Sequence, residues 1–192
     1  SYLFNETFWQ ALETGELNFS APGLDPILIA YDRELQGTMD YLGINYYTRY
    51  QIEASGAQRT LANVPVSDLN WEIHPQGLLK VLRMAGKHAR RLKIPVIITE
   101  NGLADAADSR RPQFLLEHLS AIWQAIDEGV PVRGYFHWSL IDNFEWTDGY
   151  EQRFGLLDAE RQWRPSAHLY QRIATANGFP AQWLQALPEP LP

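Results

Sequence analysis

Two kinds of hydrophobic pattern alternate along the chain. Short apolar runs, rich in β-branched and aromatic residues, give way to polar residues at their ends, and they lie at 39–47, 94–99 and 132–140. Such runs are typical of strands that are buried on both faces of a parallel sheet. Apolar residues at helical spacing lie around and between them, and these predict helices at 5–14, 75–91, 111–128 and 166–177.

The first and last of these helices carry further signals. In the first helix, Phe8, Trp9 and Leu12 share one face, which we expect to be buried, and Gly15 is placed to end the helix. Ser166 is a suitable N-cap for the last helix.

The predicted elements follow the order α, β, α, β, α, β, α, with loops at 18–37 and 51–70, where turn residues replace a periodic pattern. Strands that alternate with helices form a parallel sheet with right-handed connections. Three strands buried on both faces need further strands beside them. We therefore expect residues 1–192 to be one segment of a larger α/β sheet or barrel, completed by another chain or by sequence outside this one.

Polar and aromatic residues follow each predicted strand at the carboxyl edge of the sheet, which we call the rim. They lie at 45–47, 100–102 and 138–146. In α/β folds this edge is where ligands bind and chemistry occurs. Aromatic rings mixed with carboxylates and amides suit a sugar, because rings stack on its apolar faces while polar groups bind its hydroxyls.

Glu100 and Glu145 are the two carboxylates that stand out at the rim. A retaining glycosidase uses two carboxyl groups about 5–5.5 Å apart, and an inverting enzyme separates them by about 6.5–9.5 Å. By position alone, Glu100 and Glu145 fit such a pair. Other interpretations stay open: Glu100 simply ends a strand before the turn dipeptide Asn101-Gly102, and Glu145 orients a ligand or faces solvent.

Composition and missing motifs argue against other classes of function. The net charge is −7, from 16 basic and 23 acidic residues, which argues against a nucleic-acid partner. The chain has no cysteine, and its five histidines lack metal-ligand spacing, so we expect neither thiol chemistry nor a metal centre. No phosphate loop or G-x-G-x-x-G motif is present, and we expect no cofactor.

The sequence also bears on location. No apolar run approaches the roughly 18 residues of a membrane span, so we expect no membrane partner. The first residues lack the basic and apolar regions of a signal peptide, which favours a cytoplasmic location. The chain begins with Ser1 and not with Met, and we interpret its N terminus as a processed or cut end.

Two long motifs are far more specific than these patterns. They are Ile-Ile-Thr-Glu-Asn-Gly at 97–102 and Trp-Ser-Leu-Ile-Asp-Asn-Phe-Glu-Trp at 138–146. With Leu-Gly-Ile-Asn-Tyr-Tyr at 42–47 and Arg-Phe-Gly-Leu at 153–156, they resemble glycoside hydrolase family 1, the family of β-glucosidases and β-galactosidases. The stretches at 100–108 and 163–167 look most like its archaeal-type branch, and the resemblance covers nearly the whole chain.

The resemblance implies a TIM (β/α)8 barrel, of which this chain is similar to the C-terminal strands six to eight with their helices. It implies a retaining β-glycosidase for terminal β-D-glucosides or galactosides, with Glu100 as the nucleophile that forms a covalent glycosyl-enzyme. Tyr47 would donate a hydrogen bond to Glu100. Glu145 would then bind the sugar instead of acting as the acid. The sugar-binding residues implied in this way are Asn45, Trp138, Glu145, Trp146 and Phe154.

One departure from the family pattern matters for function. The acid/base glutamate of the family belongs to an Asn-Glu-Pro motif at the end of strand four, and the 192 residues contain no such motif. We therefore expect an N-terminal barrel portion to supply that glutamate, and the isolated chain to be inactive. The alternative is a catalytically inactive barrel fragment or a carbohydrate-binding remnant.

Overall fold

The structure, a computed structural model, describes residues 5–19, 25 and 28–186. Its α-helices are α1 (Glu6–Thr14), α2 (Pro75–Leu92), α3 (Arg111–Asp127) and α4 (Pro165–Ala176). Its strands are β1 (Glu16–Phe19), β2 (Leu28–Tyr31), β3 (Leu42–Asn45), β4 (Gln51–Ile52), β5 (Gln58–Arg59), β6 (Val96–Asn101) and β7 (Val132–His137). Short 3-10 turns lie at Arg33–Leu35, Trp146–Asp148 and Ala181–Leu184.

A parallel sheet with the order β3-β6-β7 forms the centre of the fold. β6 pairs with β3 on one side and with β7 on the other, while α2 and α3 make the two connections. The predicted parallel sheet with helical connections is confirmed. β7 ends earlier than predicted because the Ser139 N–H donates to the Phe154 carbonyl and no longer to the sheet.

β6 carries one residue more than either neighbour at its carboxyl end. On β3, the next residue after the partner of Ile98 pairs with Glu100, so β6 takes two steps where β3 takes one. On β7, the partners of Ile98 and Asn101 are two residues apart, so β6 takes three steps where β7 takes two. An extra residue of this kind interrupts the ladder and redirects the side chains beyond it. The interruption lies at the rim.

α2 and α3 pack on the sheet and bury its apolar side chains. Leu78, Leu82 and Ala85, the predicted apolar stripe of α2, are fully buried in this cluster. Burying one Leu or Ile side chain contributes roughly 1.5–3 kcal/mol, so the strands that reach the rim are held firmly. Strand residues in the same cluster are Leu42, Ile44, Val96, Ile98 and Val132.

The first quarter of the chain differs from its prediction. In place of a loop at 18–37, β1 and β2 form an antiparallel pair; residues 20–24, 26 and 27 lie outside the described residues. α1 is present, but Phe8 is exposed, while Thr7 and Ala11 are buried. The physical reason is that the Thr7 hydroxyl donates to the Asn18 carbonyl, which turns that side of the helix toward β1.

Two further predictions are corrected. α4 begins at Pro165, so Ser166 lies inside the helix and is not its N-cap. Ser166 instead donates from its N–H and its hydroxyl to the Asp108 carboxylate, at 2.8 and 2.7 Å. The predicted loop at 51–70 contains the short antiparallel pair of β4 and β5. None of the helices within the described ranges is both long and apolar enough to cross a membrane.

Candidate active site

Glu100 and Tyr47 meet at the rim. Glu100 is the penultimate residue of β6, and Tyr47 lies two residues beyond β3. The Tyr47 hydroxyl donates to Glu100 Oε2 at 2.6 Å, and the Tyr46 N–H donates to the Glu100 carbonyl at 2.9 Å. Both the backbone and the half-buried carboxylate of Glu100 are therefore held in place by the end of β3.

The electrostatics of this pair favour the neutral form of Tyr47. Burial, followed by the hydrogen bond to Glu100, raises the pKa of Tyr47 well above its ordinary value. The charge of Glu145 raises the pKa of Tyr47 further, so the carboxylate of Glu145 acts on the same site. Tyr47 consequently keeps its proton at neutral pH and remains a donor.

Aromatic rings form one wall beside this pair. The ring centroid of Tyr47 lies 5.8 Å from that of Trp71 and 6.0 Å from that of Phe154, with edge-to-face geometry in both contacts. Trp71 and Phe154 are 6.2 Å apart, and Phe154 is buried. Edge-to-face pairs of this kind hold aromatic rings in defined orientations.

Trp71 was not among the site residues predicted from the sequence, because it follows a stretch without a periodic pattern. The signal that could have found it is a tryptophan between polar residues, Asn70 and Glu72, which repeats the aromatic-in-polar pattern of the rim. Its neighbour Glu72 is buried and accepts from Arg49 Nε and Nη2, both at 2.9 Å. That pair ties the segment beyond β3 to the segment that carries Trp71.

Trp138 immediately follows β7, and its backbone is bound to the end of β6. Its N–H donates to the Asn101 carbonyl at 2.9 Å, and the peptide bond to Ser139 is cis. Gly102 makes this approach possible, because a Cβ atom at that position would lie 1.8 Å from the Trp138 carbonyl oxygen. The half-buried Trp138 ring therefore begins at the same edge as Glu100.

Glu145 and Trp146 lie on a turn beyond Trp138. The Glu145 N–H donates to the Gly149 carbonyl at 2.7 Å, and the Asp148 N–H donates to the Glu145 carbonyl at 2.8 Å. Glu145 is half-buried, whereas the Trp146 side chain is 81% exposed at a φ of +46°. The turn thus leaves the Glu145 side chain half-buried and exposes the Trp146 ring to solvent.

Asp142 anchors the start of this turn. Its carboxylate accepts from Arg164 Nη1 and Nη2 at 3.0 and 2.8 Å and from the Gly155 N–H at 2.8 Å. Burial works to raise the pKa of Asp142, but the bonds from Arg164 and Gly155 outweigh it and lower that pKa. Asp142 was not among the site residues predicted from the sequence, because only the fold brings Arg164 next to its carboxylate.

Asn45, the remaining predicted site residue, contacts β6 beside Glu100. Its Oδ1 accepts from the Thr99 hydroxyl at 2.6 Å, and the residue is exposed. The structure therefore groups Asn45, Tyr47, Glu100 and Phe154 by direct or adjacent contacts. The charge of Glu145 affects the pKa of Tyr47, and the backbone N–H of Trp138 is bonded to Asn101, the neighbour of Glu100.

The histidines do not form a metal site within the described part of the chain, where no cluster of ligating side chains is found. Two of them are neutral groups, His118 fully buried and His137 half-buried. Burial lowers the pKa of His118 to about 4 and that of His137 to about 3. His118 stacks on Phe114, and its Nδ1 lies 2.9 Å from the Phe114 carbonyl oxygen, which makes it a packing residue.

Comparisons with known proteins agree with this geometry. The family model of Glycosyl hydrolase family 1 matches residues 23–179. The β-galactosidase of Sulfolobus acidocaldarius is 40% identical over 169 residues, which cover 78% of this chain and 34% of that protein. The β-galactosidase of Saccharolobus solfataricus is 42% identical over 165 residues, which cover 76% of this chain and 33% of that protein.

The fold comparison gives the same answer. The crystal structure of the β-glycosidase from the hyperthermophile Thermosphaera aggregans matches with a TM-score of 0.73 at 33% identity, covering 100% of this chain and 43% of that one. The chain thus spans about a third of the length of the curated relatives it matches. The predicted partial (β/α)8 barrel is confirmed, and the chain belongs to glycosyl hydrolase family 1.

Proposed function

We propose that this chain carries the nucleophile side of a retaining β-glycosidase, with Glu100 as the nucleophile. The observation that supports it most directly is the 2.6 Å hydrogen bond from the Tyr47 hydroxyl to Glu100 Oε2. A nucleophilic carboxylate must be held in one orientation, and a neutral donor on one of its oxygens does this while it leaves the other oxygen available.

The proposed reaction has two displacements at the anomeric carbon. In the first, a Glu100 oxygen bonds to that carbon while the glycosidic bond breaks, and the leaving oxygen takes the bonding pair and a proton from an acid. In the second, the residue that gave up this proton acts as a base and removes a proton from water. The water oxygen bonds to the anomeric carbon, the bond between that carbon and Glu100 breaks, and Glu100 is released. The configuration is retained because two inversions occur.

The other rim residues would bind the sugar. Trp138 offers an apolar face for stacking, and Phe154 lines the pocket against Tyr47. Glu145 and Asn45 can accept hydrogen bonds from hydroxyls, and Trp146 can add an indole N–H donor. We propose terminal β-D-glucosides and galactosides as substrates, in keeping with the β-galactosidase and β-glycosidase names of the relatives.

The acid/base residue is proposed to come from an N-terminal barrel portion. The 192 residues contain no Asn-Glu-Pro motif, and the chain covers 34% of its Sulfolobus relative. In this proposal the chain alone hydrolyses ordinary glycosides poorly, because an unactivated leaving oxygen needs a proton. The alternative is a fragment that binds carbohydrate without turning it over, which the same missing motif favours.

The test uses a leaving group that does not need the acid. A 2,4-dinitrophenyl 2-deoxy-2-fluoro-β-glucoside releases dinitrophenolate unprotonated, and the fluorine slows hydrolysis of the glycosyl-enzyme. We expect a burst of about one equivalent of dinitrophenolate per folded chain. Glu100→Gln should abolish the burst, and Glu160→Gln, an exposed glutamate outside the site, should preserve it.

A second arm separates the enzyme from the binding fragment. The chain is co-expressed with the N-terminal portion of the Saccharolobus solfataricus β-galactosidase, and hydrolysis of an unactivated alkyl β-glucoside or β-galactoside is measured. Turnover that needs both polypeptides and Glu100 supports the proposal. A burst that persists in Glu100→Gln would show that another residue is the nucleophile.

A further inference from the structure

We infer that Asn101 and Tyr135 are positioning residues that fix Glu100 and Trp138 relative to each other at the rim. The inference deepens the proposed function and rests on it, because it takes Glu100 as the nucleophile and Trp138 as the sugar-stacking ring. Neither Asn101 nor Tyr135 need touch the substrate in this role.

Asn101 is fully buried and bonds to the segments beyond both neighbouring strands. Its Nδ2 donates to the Tyr46 carbonyl at 2.7 Å, just beyond β3. Its Oδ1 accepts from the Tyr135 hydroxyl at 3.0 Å, from within β7. Its backbone carbonyl accepts from the Trp138 N–H at 2.9 Å. One residue next to Glu100 therefore joins all three strands of the sheet.

These bonds replace a ladder that is interrupted at this point. The extra residue of β6 between Ile98 and Asn101 breaks the regular pairing to both neighbours. Such an interruption leaves backbone groups without ladder partners, and the strand ends could otherwise shift relative to each other. The Asn101 amide spans the gap in both directions, so that the redirected Glu100 side chain keeps a defined place.

The two backbone hydrogen bonds of Tyr46 also help to hold the Tyr47–Glu100 pair in place. Tyr46 donates its N–H to the Glu100 carbonyl at 2.9 Å and accepts from Asn101 through its own carbonyl. The peptide groups before and after Tyr46 are therefore both fixed, and the second of them leads directly into Tyr47. If this peptide moved, the hydroxyl of Tyr47 would move away from Glu100 Oε2.

Asparagine is the side chain that these partners require. The Tyr46 carbonyl can only accept, so a donor must face it, and the other side must accept from Tyr135. An aspartate has no donor when ionised, and an apolar residue would remove the bonds to the Tyr46 carbonyl and to the Tyr135 hydroxyl, which would keep only its 3.5 Å contact with His137 Nδ1. Burial raises the pKa of Tyr135 well above its ordinary value, so its hydroxyl remains a donor.

The test compares two neighbouring half-buried tyrosines, one on β7 and one on α4. Tyr135→Phe removes the hydroxyl that donates to Asn101. Tyr170→Phe is the matched control, because its ring lies 6.2 Å from that of Tyr135 while its hydroxyl bonds to the backbone of β7, at His137 and at the Tyr135 carbonyl (3.5 Å), and not to Asn101. The maximal rate of labelling by the dinitrophenyl fluoroglucoside is measured at saturating reagent and normalised to the folded fraction from circular dichroism.

We expect Tyr135→Phe to lower the maximal labelling rate roughly three- to tenfold, with little change in the half-saturating concentration. Asn101→Ala, which removes both side-chain bonds, should lower it by roughly 100-fold. Tyr170→Phe should label like the wild type. A purely structural role would lower the melting temperature without changing the rate of the folded protein.

The outcomes are separable. If the wild type is labelled on Glu100 and Tyr135→Phe labels as fast as Tyr170→Phe, the positioning role is wrong while the proposed function stands. Loss of folding in both Tyr135→Phe and Asn101→Ala would also overturn it in favour of a structural role. If the wild type, paired with an N-terminal barrel portion, is not labelled on Glu100, the proposed function fails and this inference fails with it.

Discussion

At the scale of single residues, the site depends on one donor–acceptor pair. Tyr47 and Glu100 are 53 positions apart in sequence, and a 2.6 Å hydrogen bond joins them. A hydrogen bond to a charged group contributes roughly 1.5–3 kcal/mol, more than one between neutral groups. The orientation of the carboxylate, and not its presence alone, is what the fold provides.

We predict that Tyr47→Phe slows labelling of Glu100 by the dinitrophenyl fluoroglucoside roughly 10- to 100-fold, because the carboxylate loses the donor that orients it. Pre-steady-state release of dinitrophenolate measures this. Tyr31→Phe, at an exposed tyrosine on β2 away from the rim, is the control. Equal rates for Tyr47→Phe and the wild type would contradict a role for this bond.

The residue scale also shows how far sequence reasoning reaches. The convergence of Glu100, Tyr47 and Trp138 on one edge follows from parallel strands, whose carboxyl ends meet at the same side of a sheet. The bond between Tyr47 and Glu100 was expected only through family resemblance, since spacing along a chain does not specify side-chain contacts. The bonds of Asn101 and the place of Trp71 depend on an irregular register and on a loop, which hydrophobic periodicity does not encode.

At the scale of elements, the junction of β6 with the end of β7 is the tightest part of the rim. Gly102 lets the Trp138 carbonyl come so close that a Cβ atom would lie 1.8 Å from it. The obstructing atom belongs to the backbone, so it cannot move aside as a flexible side chain could. This is why a glycine follows the Glu100-Asn101 pair.

We predict that Gly102→Ala destabilises the protein by about 1–3 kcal/mol or more and displaces Trp138. Gly178→Ala is the matched control, because no atom lies within 4 Å of a Cβ built there. Denaturant unfolding monitored by tryptophan fluorescence measures both. If the two variants were equally stable, the proposed close approach would be wrong.

The helix that follows β6 should make stability depend on pH. Burial lowers the pKa of His118 on α3 to about 4, below the ordinary value of 6.5. The unfolded chain therefore binds a proton that the folded chain refuses, and the stabilising effect is full above pH 6.5 and is lost as the pH falls toward 4.

We predict that the free energy of unfolding of the wild type falls between pH 6.5 and 4, by about 2–3 kcal/mol for His118 alone. In His118→Leu that part of the fall should disappear, while pH 8 serves as the reference at which neither protein is protonated there. Urea unfolding at several pH values measures it. An identical pH dependence in both proteins would contradict a buried neutral His118.

At the scale of the whole molecule, the sheet ends in two strands with one neighbour each. Within the described residues, β3 and β7 pair only with β6, and Phe136 on β7 is 61% exposed. Unpaired strand edges and exposed aromatic residues favour association with other chains. The sequence predicted a need for further strands, because three strands buried on both faces cannot by themselves close a barrel.

We predict that the purified chain associates and shows a mass above 22.0 kDa by multi-angle light scattering. Co-expression with an N-terminal barrel portion should suppress this by covering the strand edges. A monodisperse chain of 22.0 kDa, unchanged by that partner, would contradict the expectation of an open barrel segment.

The most direct test of the account is to locate the covalent bond itself. The chain is treated with the dinitrophenyl fluoroglucoside, digested, and analysed by tandem mass spectrometry. We predict one fluoroglucosyl group, attached to Glu100 within the peptide that contains Ile97 to Gly102. A label on Glu145 or on any other residue, or no label on folded chain that is paired with an N-terminal barrel portion, would contradict it.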